Sequence, residues 1–313
     1  MWPFAGETDR QVGRKLIVKN LDMACRLLGQ AGAAGCDIAC YPEDVQGIAP
    51  YGYWLEDPTL FADFVEPVPG PATDRLAEVA AAHHMHLVFG TYERVEDRIY
   101  NTAVLMGRKG EIIGKYHKVQ LPGVERWSVS PGDGFPAFRT DFGTVGMLIC
   151  YDLMFPEPAR ALTLDGAEIL FNPTMAYAVQ TQCKGNGLIR AQARALDNFV
   201  PLVISLCGRD SVIIGSDGRL LARAHARREE IISAVVDLDA TPMDHSQWEV
   251  LTGTADLKAR YLQERLPQTY GVLVDPAPPV IARCREETRR LKESPEERRA
   301  AFEEIKRRWT PKA

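Results

Sequence analysis

Cys150 closes the apolar run in "GTVGMLICYDLMFPEPAR" and is followed at once by Tyr151 and Asp152. A thiol at the carboxyl end of a buried strand, opening a turn into a helix, sits where α/β sheets gather ligands. A helix N-terminus close behind it is expected to lower the thiol pKa. Six further cysteines are present. Cys25 lies in a helical pattern, Cys36 and Cys40 flank a short apolar strand, and Cys207 follows an apolar run. These four read as small buried hydrophobes, and Cys183 and Cys284, in polar surroundings, as exposed thiols. Position alone leaves Cys150 open between nucleophile and packing residue.

A nucleophilic thiol needs a base and a group that neutralises the developing oxyanion. The six histidines are His83, His84, His86, His117, His225 and His245. "HHMH" falls where a helix hands over to a strand, with no carboxylate or cysteine to complete a ligand set, so no metal is expected. His117 and Lys118 are consecutive at a strand end and should point to opposite faces, so no histidine is an evident partner for Cys150. Glu43 ends "DIACYPE" and Lys118 ends "IIGKYHK". Each alone fits a solvated strand end. Taken together, the carboxylate can accept the thiol proton and the ammonium can stabilise thiolate and oxyanion.

The elements that must position these residues alternate between helical and strand-like patterns. "LDMACRLLGQAGAAG" and "PATDRLAEVAAAHH" read as helices, each followed by a strand, "CDIACYPED" and "HLVFGTYE". "IYNTAVLM", "EIIGKYHK" and "FGTVGMLIC" continue as strands, with "GRKG" as a turn between the first two. A helix over about 156–165 leads to the strand "GAEILFNP", then the helix "GNGLIRAQARALDN". "FVPLVISL", "SVIIG", "RLLARA" and "IISAVVDLD" complete the strands, with "SDG" as a hairpin turn. Apolar strands separated by amphipathic helices predict mixed sheets covered by helices. Residues 1–265 read as one α/β domain and 266–313 as a proline-rich extension ending in a helix. Ser294, Pro295 and Glu297 sign the start of that helix. Its stripe of Phe302, Ile305 and Trp309 suits either packing on its own domain or a subunit contact.

Composition narrows the function classes. The net charge of −5 offers no electrostatic reason to bind nucleic acid or an anionic membrane, and no apolar run reaches the roughly 20 residues of a membrane span. "MWPFAGETDRQVGRK" lacks the pattern of a secretory signal. An odd number of cysteines with no CxxC pair predicts reduced thiols and a cytoplasmic location.

The chain resembles the nitrilase, or carbon–nitrogen hydrolase, superfamily in "YPED", "GKYHKVQLPG" and "GMLICYDLMFPE", which occur in the family's order and approximate spacing. "GAEILFNPT", "RAQARALDN" and "SDGRLLA" extend the likeness, which runs from about Leu21 to Asp239. The resemblance implies a four-layer αββα sandwich that assembles as a homodimer or larger homo-oligomer, needs no cofactor and hydrolyses a non-peptide C–N bond. It implies that Cys150 attacks, that Glu43 handles the proton, and that Lys118 and the Tyr151 backbone N–H hold the oxyanion. It assigns Glu125 to substrate positioning, and Asp152, Glu157 and Arg160 to bracing the nucleophile turn. The family's usual first core strand has no counterpart before "NLDMACRLL". It is lost, replaced by "RKLIVK", or outside this sequence.

Tyr151 after the cysteine is similar to the amidase and carbamoylase branches, whereas nitrile-cleaving members commonly carry Trp there. Leu153 and Met154 stand where some carbamoylases have carboxylate-binding arginines, which favours a neutral or apolar acyl group. Trp127, Phe155, Met175 and Tyr177 are candidates to line a pocket and fit a plain core as well. The leading expectation is hydrolysis of a small amide or N-carbamoyl compound through a Cys thioester. The alternatives are a nitrilase and a non-catalytic binding protein that kept the fold.

Overall fold

The computed structural model describes residues 9–54, 58–175, 187–207, 210–225 and 229–281, together with 300 and 304. The chain divides into two units, Met1–Arg260 and Tyr261–Ala313. The helix expected near Ser294 lies outside the described residues.

In the first unit, α1 spans Arg10–Ala33. The Asp9 carboxylate starts it by accepting the Gln11 N–H at 2.7 Å. Leu21, Ala24, Leu28 and Ala31 recur at helical spacing and are buried. The strand β1 (Ile38–Cys40) follows, and short helices α2 (Ala49–Trp54) and α3 (Pro58–Phe64) come next. Pro71 opens α4 (Pro71–His83), which buries Leu76 and Ala80. The strands β2 (His86–Val95), β3 (Arg98–Met106) and β4 (Ile112–His117) complete a four-stranded sheet in the order β1-β2-β3-β4. β1 runs parallel to β2, and the other pairs are antiparallel.

The second half repeats the plan. β5 (Ala137–Arg139) and β6 (Thr144–Met147) precede α5 (Pro156–Leu164) and β7 (Ile169–Thr174). Then come α6 (Gly187–Asn198), β8 (Leu202–Leu206), β9 (Val212–Ile214) and β10 (Leu220–Arg223). They form a mixed six-stranded sheet, β10-β9-β8-β7-β6-β5. β7 pairs parallel with both β6 and β8.

Alternation along the strands sorts the core into layers. Leu87, Phe89, Val104 and Met106 pack with α1 and α4. Val88, Ala103, Leu105 and Tyr116 meet Val145, Met147, Ile169 and Phe171 between the sheets. Leu170, Leu202 and Ile204 pack with Leu162, Ala191 and Ala195 of α5 and α6. Helices, sheet, sheet, helices is the expected αββα order.

Two sequence expectations fail. "RKLIVK" is helical, because Ile17 continues the face of Leu21, Ala24 and Leu28. No strand precedes α1 among the described residues, so "RKLIVK" does not replace the first core strand. "IISAVVDLD" alternates between half-buried and exposed residues without joining a ladder. Asp37 and Tyr41 bond to β2, which turns the amides of Ile38 and Cys40 to the opposite edge. No strand meets that edge among the described residues. β1 is accordingly half-buried rather than buried.

Candidate active site

The nucleophile candidate sits in a constrained turn. After Ile149 the chain enters a 3₁₀ turn, Cys150–Met154, in which Cys150 takes φ 45°. Left-handed backbone at a residue with a Cβ is uncommon and needs support from its surroundings. Asp152 supplies it. Its carboxylate accepts the Ile149 N–H at 2.9 Å, the Gln120 N–H at 2.9 Å and the Tyr116 O–H at 2.8 Å. Two of those donors belong to β4 and the loop after it, so one carboxylate ties the Cys150 turn to the segment carrying Lys118. Burial, only partly offset by these bonds, pushes Asp152 up to about 6.

Glu43 follows β1 and is fully buried. Its neighbour Asp44 accepts N–H groups from Ile48 at 2.9 Å and Ala49 at 2.6 Å, fixing the start of α2. Gly90 on β2 lets the Glu43 backbone lie close, since a Cβ there would come 2.8 Å from the Glu43 Cα.

Lys118 is 1% exposed and donates to Glu43 Oε1 at 2.9 Å and to Glu125 Oε2 at 2.8 Å. Glu125 comes from the 3₁₀ turn Gly123–Trp127 and is equally buried. Asn101 of β3 donates to Glu43 Oε1 at 2.7 Å and to Glu125 Oε1 at 2.6 Å. The Met175 N–H, just past β7, donates to Glu43 Oε2 at 2.9 Å. Its carbonyl accepts from Cys150 Sγ at 4.0 Å. One residue thus joins the thiol to the carboxylate.

The charges act accordingly. Burial disfavours the Lys118 cation, but Glu125 and then Glu43 outweigh it and hold its pKa well above the ordinary value. Burial pushes the Cys150 thiol up to about 12, and Glu43 pushes the same way, against Lys118 and Thr174. The lowering expected from a helix N-terminus is absent. The 3₁₀ turn intervenes, and α5 begins only at Pro156. At neutral pH the thiol keeps its proton, so attack requires a base beside it.

The remaining candidates divide. Tyr151 and Phe155 are half-buried, their rings edge to face at 5.3 Å. Met175 reaches the cluster through its backbone, Trp127 is 42% exposed, and Tyr177 lies outside the described residues. Leu153 is buried in the core with α5 and α6. His117 and Lys118 do separate: His117 Nε2 meets Glu93 Oε2 at 2.8 Å on the other face of the sheet. Asn101 was missed, although a lone amide within "IYNTAVLM" is a polar interruption of an apolar strand.

Two helix-covered sheets stacked face to face, with carboxylates, an ammonium and a thiol collected at strand ends, define an α/β protein of the nitrilase type. The chain belongs to the carbon–nitrogen hydrolase family, whose sequence profile matches residues 14–242. It is similar to an omega-amidase, NIT2, of Xenopus tropicalis, 32% identical over 241 residues, 71% of this chain and 84% of that protein. It is 29% identical over 287 residues to an N-carbamoylputrescine amidase of Oryza sativa subsp. japonica, 82% of this chain and 89% of the relative. The structure also resembles a glutamate-to-glutamine mutant of the amidase from Nesterenkonia sp. AN1, solved with acrylamide added at its active-site cysteine. That likeness has a TM-score of 0.56 and 27% identity, over 66% of this chain and 82% of the amidase. Among the described residues no helix is long and apolar enough to cross a membrane.

Proposed function

We propose that this carbon–nitrogen hydrolase cleaves a small amide or N-carbamoyl compound through a thioester on Cys150, with Glu43, Lys118 and Cys150 as its triad. The observation that carries the reading is the buried arrangement of Glu43, Lys118 and Glu125 beside a thiol that keeps its proton. Glu43 accepts the Cys150 proton as sulfur attacks the carbonyl carbon, and Lys118 with the Tyr151 N–H holds the oxyanion. As the tetrahedral centre collapses the C–N bond breaks, and Glu43 returns its proton to the leaving nitrogen. Water then gives a proton to Glu43 and attacks the thioester carbon. Collapse of this second centre releases the acid, and the same proton returns to Cys150. Glu125 shares Lys118 with Glu43 and orients the amide.

The names of the omega-amidase and the N-carbamoylputrescine amidase favour amide and carbamoyl substrates over nitriles. The reading includes a hydrolase domain over 1–265, a C-terminal extension over 266–313, a cytoplasmic location and a homodimer or larger homo-oligomer. Exposed Leu164 on α5 and Ile189 and Leu196 on α6 support assembly.

The test is a panel of amides, ureido compounds and nitriles with ammonia and amine readout, alongside mass spectrometry of trapped protein. An acyl adduct that Cys150→Ala abolishes, seen with amides or ureido compounds, is the expected result. Turnover confined to nitriles sinks the substrate class. Absence of adduct and turnover across the panel sinks the mechanism.

A further inference from the structure

We propose that Asn101 is a positioning residue of this site: its neutral carboxamide clamps Glu43 and Glu125 around Lys118 and holds Glu43 in place to serve as base. The proposal rests on the triad reading above.

The first argument is charge. Two carboxylates, Glu43 and Glu125, share one ammonium. Among the described residues, Lys118 is the only cation bonded to either. The other groups turned toward the pair are Cys150 from the nucleophile turn, the Met175 N–H after β7 and the Cys207 thiol after β8, which donates to the Glu43 backbone carbonyl at 3.6 Å. Asp44, next in the chain, spends its carboxylate on Ile48 and Ala49. An ionised cluster therefore carries a surplus negative charge in a buried site, which needs hydrogen-bond donors to satisfy it.

Asn101 supplies those donors. Its two N–H groups go to different carboxylates, Glu43 Oε1 at 2.7 Å and Glu125 Oε1 at 2.6 Å. The orientation is fixed by chemistry, because the reversed amide would set oxygen against two carboxylate oxygens. Its Oδ1 has no partner among the described residues. The side chain thus satisfies the two glutamates and leaves itself incomplete, the opposite of a residue present for packing.

The second argument is placement. Asn101 lies on the strand face that continues as Ala103 and Leu105 between the sheets, and its backbone carbonyl accepts the Lys118 N–H at 2.8 Å. One residue addresses Glu43, Glu125 and Lys118, its backbone holding the cation's segment and its side chain both anions. Neutrality matters as much as donation. A second cation here would cancel the surplus charge and leave Glu43 a poor proton acceptor, whereas an amide fixes geometry and keeps the base.

The test reads Cys150 directly, independent of substrate. Iodoacetamide alkylates the thiol: sulfur bonds the CH₂ carbon, iodide leaves, and the thiol proton passes to Glu43. Peptide mass spectrometry follows Cys150 from pH 4 to 9 in wild type, Asn101→Leu, Asn101→Ser and Glu43→Gln, with thermal unfolding measured in parallel. Losing two donors to the carboxylates is expected to move the pH of half-maximal rate upward in Asn101→Leu. Asn101→Ser, which keeps a hydroxyl donor, is expected to fall between Leu and wild type, and it carries the test if Asn101→Leu fails to fold. A folded variant with lowered stability and an unmoved pH of half-maximal rate overturns the proposal, because that is what a packing role gives. Glu43→Gln separates the two claims. If it leaves the acidic limb intact, the triad reading fails. If it removes the limb and neither Asn101 variant shifts it, only the Asn101 proposal fails.

Discussion

The first sheet carries two buried carboxylate clusters on opposite faces, and one strand feeds both. On the face toward the second sheet, Lys118 after β4 serves Glu43 and Glu125. On the face toward the helices, Lys115 and His117 of β4 both serve Glu93, with the Thr102 hydroxyl donating to it at 3.0 Å. Tyr100 stacks on His117 at 4.1 Å. One residue of register decides which cluster a side chain joins. The clusters differ in their balance of charge. Glu93 alone receives several donors, and although burial would raise it, His117 and Lys115 outweigh burial and hold it below the ordinary carboxylate range. A carboxylate so well satisfied is a poor base and a good brace. Glu43 and Glu125 divide one ammonium beside a thiol, so a proton arriving there relieves charge. The number of carboxylates per cation, more than the depth of burial, separates a reactive cluster from a structural one.

The strongest way to break that comparison is to neutralise one carboxylate on each face. Glu43→Gln is expected to slow Cys150 acylation by about 10²–10⁴-fold, the range for loss of a general base, with the fold kept. Glu93→Gln is expected to leave acylation within about threefold while lowering the unfolding temperature, since loss of a buried charged hydrogen bond costs on the order of 2 kcal/mol. Stopped-flow acylation and thermal scans on both variants decide it. Equal kinetic losses would erase the distinction.

A smaller effect tests how the reactive face is held. Asp152→Ala is expected to cost about 3 kcal/mol, because the Ile149 and Gln120 amides and the Tyr116 hydroxyl lose a buried acceptor. It should also reduce Cys150 alkylation at neutral pH, as the φ 45° turn relaxes. Chemical denaturation and alkylation rate are the measurements. Lost stability with unchanged alkylation would mean that the turn holds itself without Asp152.

Much of this was legible in residue types. Strand ends bearing Glu43, Lys118 and Cys150, and the alternation separating Lys118 from His117, follow from period and position. The partner choices were not. That Glu125 shares Lys118 depends on a 3₁₀ turn no periodicity announces, and that Asn101 spans two glutamates depends on strand pairing across β3 and β4. The helix over Arg10–Lys19 was hidden by its apolar cluster "LIV", which suits a strand until the spacing to Leu21 and Ala24 is counted. That Leu153 packs into the helix-side core follows from turn geometry, which has no sequence period. The thiol's raised pKa came from depth and from Glu43, neither of which local sequence encodes.

The smallest effect sharpens the comparison through pH. Glu93 is held low by its partners, so its folded-state pKa lies below the unfolded value of about 4.3. Such a group stabilises the fold above the unfolded pKa, and that contribution is lost as pH falls through the folded one. Glu93→Gln cannot titrate, so its deficit against wild type should be widest near pH 6 and shrink on acidification below about 4. His117→Phe keeps the stacking on Tyr100 and removes one of the donors that hold Glu93 low. Its deficit should be smaller, on the order of 1 kcal/mol, and should shrink over the same acidic window. Unfolding temperatures collected from pH 3 to 7 test both. A deficit that stays constant with pH would mean that Glu93 braces the sheet by packing rather than by charge, and the contrast with the Glu43 face would then rest on burial after all.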